Sequence, residues 1–146
     1  GVGYQLYTRR FPEEFDLLIA ARTNNIREKA SPERLERMDQ VDSLVMNAIR
    51  AVIQLAIDKG DLTLKNNVLI DDLCFGLWSM SFGLLVLDHA RDMISGLQLS
   101  PSDELMLTQM TNLLDGYQWH PLSSEQDYHG AYQRALEYLG TTQVKS

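Results

Sequence analysis

The amino-acid sequence predicts an all-α fold, an antiparallel bundle of about five to six helices. Three observations predict it. Apolar residues recur at three- and four-residue spacing, and no strand-length run alternates apolar with polar. Gly60, Gly96 and Gly116, with Pro12, Pro32, Pro101 and Pro121, stand between these runs as punctuation. The stretch Leu73 to Leu87 carries no charge, yet Asp71 and Asp72 close one end and Asp88 the other. A bilayer span needs about 20 apolar residues, so this run reads as a buried helix and not a membrane helix. A helix apolar on nearly every side is covered on nearly every side. One small domain seldom covers a helix so fully, so the surplus predicts an internal cavity or a second subunit.

Residues 1–10 read as the end of an upstream element, with Tyr4, Leu6 and Tyr7 able to pack and Arg9 and Arg10 facing water. Pro12 suits the first position of a helix, and Glu13 and Glu14 suit its positive end. Phe15, Leu18, Ile19, Arg22 and Ile26 follow on one stripe, predicting a helix over 13–29 that weakens at Thr23-Asn24-Asn25. Ser31-Pro32-Glu33 is a second start signal and Gly60 a stop, predicting a helix over 32–59. Its stripe is Met38, Val41, Val45, Ile49, Val52 and Ala56, widened by Met46, Ile53 and Ile57 toward the C-terminal half.

The central helix is predicted over 66–95, capped by Asn66 or Asn67 and stopped by Gly96. Ser100-Pro101-Ser102-Asp103 repeats the start signal for a helix over 102–117, carrying Leu105, Met106, Leu107, Met110, Leu113, Leu114 and Tyr117. Trp119-His120-Pro121 reads as a turn. Ser123 or Ser124 is expected to cap a last helix with Tyr128, Tyr132, Ala135, Leu136 and Leu139 on one stripe, ended by Gly140 and followed by a frayed tail.

The chain of 146 residues fits one domain, 1–146, large enough to hold together without disulfides or metal. Its one cysteine, Cys74, lies in the uncharged run and reads as a small buried hydrophobe. No secretory signal is seen, which favours the cytoplasm. Residue 1 is Gly, so the chain is expected to be a piece whose true N-terminus lies upstream. The net charge of −7 and pI of about 4.8 argue against nucleic-acid binding by this chain alone, because phosphate contacts from Lys and Arg dominate such affinity.

Catalytic and cofactor chemistry is poorly supported. There is no Gly-rich phosphate loop, no cysteine pair and no Glu-x-x-His ligand pair, so no cofactor and no metal are expected. Asp88, His89 and Asp92 have metal-like side chains, but His89 and Asp92 alone share a face and read as a solvated helix end. Asp71 and Asp72 diverge by about 100° on a helix, which suits a stabilised N-terminus and not an acid–base pair. His120 and His129 read as solvent-facing, and Ser79 and Ser81 have no histidine to activate them.

Two faces of the central helix carry information. Gly76, Gly83 and Ala90 recur every seven residues, and small residues let another helix approach closely, either within the domain or across a two-fold axis. The other face carries Phe75, Trp78, Phe82 and Leu85, which form either plain core or the wall of a cavity.

Several stretches together resemble the C-terminal regulatory domain of the TetR family of bacterial transcription repressors. Tyr4 to Leu18, with Arg9-Arg10-Phe11-Pro12-Glu13-Glu14-Phe15, looks like the family's passage between its fifth and sixth helices. Ala56-Ile57-Asp58-Lys59-Gly60-Asp61-Leu62 looks like the end of the seventh. Leu77-Trp78-Ser79-Met80-Ser81-Phe82-Gly83-Leu84 is similar to the Trp, three residues, His, Gly pattern of the eighth, with Phe82 where many relatives carry His. Leu113-Leu114-Asp115-Gly116-Tyr117, with Trp119 and Pro121, looks like the end of the ninth. The family's helix-turn-helix head has no counterpart here.

The resemblance implies a homodimer built from the helices over 66–95 and 102–117, a four-helix interface. The expected contacts are Gly76, Met80, Gly83, Leu84 and Leu87 on the first, with Leu107, Met110 and Leu114 on the second. It also implies a small, largely apolar or aromatic effector, with operator DNA read only through the head that is missing. The residues expected to line the effector cavity are Phe15, Ile19, Met46, Ile49, Ile53, Phe75, Trp78 and Phe82. The other reading is a constitutive helical dimerisation or interaction domain with a filled core and no ligand.

Overall fold

The computed structural model describes residues 2–22, 29–65, 67–90 and 96–142, the side chains of 141 and 142 excepted. Six helices occupy these residues, with no strand among them: α1 (Val2–Arg10), α2 (Pro12–Ala21), α3 (Pro32–Lys59), α4 (Ile70–His89), α5 (Ser102–Gly116) and α6 (Tyr128–Thr142). Helix α3 packs on α4, α4 on α5, and α5 on α6, while α1 packs on α2 and α6.

Local chemistry sets the ends of α3. The Ser31 hydroxyl accepts a long hydrogen bond from the Arg34 amide at 3.4 Å, and Pro32 occupies the first turn, where its missing N–H costs nothing. At the other end Gly60 takes a left-handed conformation at φ 80°. The Asp61 amide then reaches the Ala56 carbonyl at 2.9 Å and the Gly60 amide reaches Ile57 at 3.0 Å, a Schellman closure. This turn directs Leu62, 2% exposed, back under the helix.

The other boundaries differ from expectation for identifiable reasons. Residues 1–10, read as the end of an upstream element, hold α1 over Val2–Arg10. Helix α2 ends at Ala21; the predicted continuation through 23–28, including Ile26, lies outside the described residues. Helix α4 starts at Ile70, later than predicted, because the Asp72 carboxylate reaches back to the Leu69 amide at 3.0 Å, whereas Asn67 stands in a left-handed turn at φ 59°. Asn66 and residues 91–95 lie outside the described residues. Neither Ser123 nor Ser124 caps the last helix. Ser123 donates to Asp115 from its hydroxyl and, at 2.8 Å, from its amide, holding that carboxylate below its usual range. Asp127 instead accepts from the Gly130 amide at 2.8 Å, and α6 runs past Gly140.

The core forms two clusters. The first joins Ile53 and Ala56 of α3 to Leu62, Leu73 and Cys74, with Tyr117 and Trp119 against it. The second joins Phe15 of α2 to Leu85 of α4 and Met106 of α5. Cys74 is buried as expected, and that burial pushes its thiol above the ordinary range. By length and apolarity α3 and α4 could each cross a bilayer, a test that the core helices of helical bundles also pass.

Polar ties join the helices. Arg9 pairs with Asp103, linking α1 to α5, and Arg50 pairs with Asp71 at 2.6 Å, linking α3 to α4. One tie is buried: the Tyr132 hydroxyl donates to the Gln5 side-chain carbonyl at 2.7 Å, with Gln5 2% exposed. Removing one partner of a buried hydrogen bond leaves the other desolvated and unpaired. Tyr132→Phe is therefore expected to cost about 1–3 kcal/mol in urea unfolding. A variant within a few tenths of the parent would show that the bond contributes nothing net.

Candidate functional site

Helix α4 presents Phe75, Trp78 and Phe82 along one side, as their three- and four-residue spacing requires. Ring centroids lie 5.9 Å apart for Phe75–Trp78 and 5.4 Å for Trp78–Phe82, the latter stacked at 14°. Phe82 meets Phe15 of α2 edge-on, with centroids 6.1 Å apart at 73°, and Tyr4 of α1 closes the group against both. Burial raises the Tyr4 phenol above its ordinary range.

A cation lies over this wall. The Arg22 guanidinium carbon is 5.1 Å from the Trp78 ring centroid and 5.8 Å from that of Phe82. Both positions favour attraction to the negative faces of the rings. Asp42 of α3 holds the guanidinium through two bonds of 2.7 and 2.6 Å, fixing its plane. Of the three donors left over, the Arg22 Nε–H is buried and has no hydrogen-bond partner. An unpartnered donor on a guanidinium is a place for an acceptor. The signal was in the sequence: Arg22 is the one charged residue on the apolar stripe of its helix. Asp42 and Tyr4 carried no comparable signal as site residues.

The structure distributes the expected cavity residues over both clusters. Phe15, Ile19 and Phe82 belong to the second cluster and Ile49 and Ile53 to the first, while Phe75 and Trp78 belong to neither. Phe15 and Ile53 are fully buried, whereas Phe75 is 62% exposed and Met46 half-buried. Phe82 meets both Phe15 and Trp78 ring to ring. Concavities lie elsewhere among the described residues. One of about 810 Å³ runs along the first half of α3 by Leu35, Asp39, Gln40, Ser43 and Asn47. Another, of about 340 Å³, lies between Thr63, Lys65 and Val68 and the end of α5.

The expected dimer residues fall into two sets. Leu84 and Met110 pack against the second cluster of their own chain. Met80, Leu107 and Leu114 are half-buried and Leu87 is 55% exposed. A Cβ atom built on Gly76 or Gly83 meets nothing within 4 Å, so no helix among the described residues uses the close approach that the glycines permit.

His89, Asp88 and His120 are engaged in separate contacts. His89 pairs with Asp16 at 2.8 Å, Asp88 accepts from the Ser102 hydroxyl at 2.6 Å, and His120 contacts Glu125 at 3.2 Å. Asp92 lies outside the described residues. Among the described residues no three of His, Cys, Asp and Glu gather as a metal site would need. No protein-family model, no curated protein and no solved structure matches the chain.

Proposed function

We propose that this chain is the effector-binding and dimerisation part of a cytoplasmic, TetR-like bacterial transcription repressor, and that it is not an enzyme. The observation that carries the ligand reading is the Phe75–Trp78–Phe82 wall with Arg22 fixed over it. The rings supply a flat apolar surface and the Arg22 Nε donor supplies an anchor, which fits a small aromatic effector bearing an acceptor group. Entry beside Trp78 would separate rings that now touch, so binding would move α4 against α2 and α3. In the intact protein a ligand shifts operator affinity only if it binds one spacing of the DNA-reading heads better than the other. A second reading, a constitutive dimerisation domain without ligand, is supported by those ring contacts, because a filled wall needs no guest.

A thermal-shift and fluorescence screen of hydrophobic and aromatic compounds, carboxylates included, tests the proposal in a Trp119→Phe background that leaves Trp78 as the reporter. A ligand at a hundred times its dissociation constant stabilises by about 2.7 kcal/mol. That corresponds to a rise of roughly 5–10 °C for a domain of this size. Trp78→Ala should abolish the rise, while exposed Arg34→Ala should keep it. Unchanged emission and melting across the panel would remove the effector reading and leave the filled domain.

A further inference from the structure

Helix α3 is apolar on two sides, and α4 covers only one. Ile49, Ile53, Ala56 and Ile57 turn toward the first core cluster. On the adjacent side, about 100° around the helix, Val41 is 54% exposed, Val45 43%, Val52 59% and Leu55 53%, with Ala48 exposed between them. These five residues alternate four- and three-residue steps, the 3.5-residue period that keeps a seam facing a partner helix. Leu44, 70% exposed, and Ala51 extend the seam on one flank. The other flank is taken: Asp42 holds Arg22, and Ile49 and Ala56 pack into the core.

We propose that a second copy of this chain docks on this seam, α3 against α3, antiparallel. The direction follows from the open flank. Parallel helices would set that flank against the partner's covered one, whereas antiparallel helices set it against itself. The charges agree. With Val45 beside the partner's Ala48 and Val41 beside the partner's Val52, exposed Arg37 near one end faces the partner's Asp58 near the other, twice by symmetry. Leu44 then meets the partner's Ala51. The same register sets Arg34 opposite the partner's Lys59 at each end of the seam, where both long, exposed side chains can turn their charges outward into solvent. The net charge of −7 opposes the alternative of an anionic membrane surface. This contact uses none of Gly76, Gly83 or α5 and is independent of the interface proposed above.

Cross-linking of the whole chain tests the geometry. Ala48 lies near the two-fold axis, so Ala48→Cys should be joined rapidly by a short bis-maleimide, while Gln40→Cys, displaced along the helix, should not. Buried Cys74 makes the parent the blank. In analytical ultracentrifugation Val45→Glu with Val52→Glu should weaken this contact by ~100-fold or more, because each copy would bury unpaired charge. Arg37→Asp and Asp58→Arg should each weaken it by roughly tenfold, and the double swap should restore it. Gly83→Leu should leave the Ala48→Cys cross-link in place. Three results would overturn the proposal: equal cross-linking at positions 40 and 48, association indifferent to the Val45 and Val52 changes, or a seam whose substitution abolishes vesicle binding and leaves association intact.

Discussion

Replacing Phe15 with Ala should cost about 3–5 kcal/mol, the range for deleting a fully buried phenyl ring. Phe15 has no exposed surface. Its ring meets those of Tyr4, Phe82 and His89, and it packs with Leu85 and Met106. Three helices besides its own therefore lose contact at once, and the rings around the void are too stiff to collapse into it. Domains of this size have only about 5–15 kcal/mol in total, so the variant should be near the edge of folding. Urea unfolding followed by circular dichroism gives the number, with Phe75→Ala as the comparison. Phe75 is 62% exposed and should cost no more than about 1 kcal/mol, the worth of its contact with Trp78. Equal losses at the two positions would show that the burial assigned to Phe15 does not hold.

Gly83→Leu carries the next largest effect, and it separates a partner-facing surface from a solvent-facing one. Among the described residues nothing lies within 4 Å of a Cβ placed on Gly83. If the α4 surface faced only water, the change would stabilise the helix by roughly 0.5–1 kcal/mol through propensity alone. If α4 packs against the partner's α4 there, two leucines are forced into a contact shaped for hydrogen atoms. Overpacking costs about 1–3 kcal/mol per site, doubled by the two-fold. We expect the latter: a dissociation constant raised by at least ~30-fold, with helix content unchanged. Light scattering across a concentration series reads it. A higher melting temperature with unaltered association would remove α4 from the interface.

Much of the helix map was legible in the sequence because it depends on neighbours along the chain. Ser31, Pro32 and Gly60 bound α3 through local backbone geometry, and the structure places its ends at Pro32 and Lys59 as predicted. The burial of Cys74 followed from an uncharged run with acids at both ends. The start of α4 was misplaced because two kinds of cap competed. Asparagines preceded the run, but Asp72 reached back to Leu69 from inside the helix.

What the sequence by itself determined is the all-α class, the order of the helices seen among the described residues and which residues share a helical side, since spacing along one chain dictates these. It left open which apolar side is covered. Val41, Val45 and Val52 shared a predicted stripe with Ile49 and Ala56, yet only Ala56 is buried, beside Ile53, and Ile49 partly so. Only tertiary packing could decide that, because covering one side of α3 depends on where the turn through Gly60 and Leu62 sends α4. The same holds for Arg22. Its place on an apolar stripe was visible, but its stacking on Trp78 and its two bonds to Asp42 exist only once α2, α3 and α4 meet.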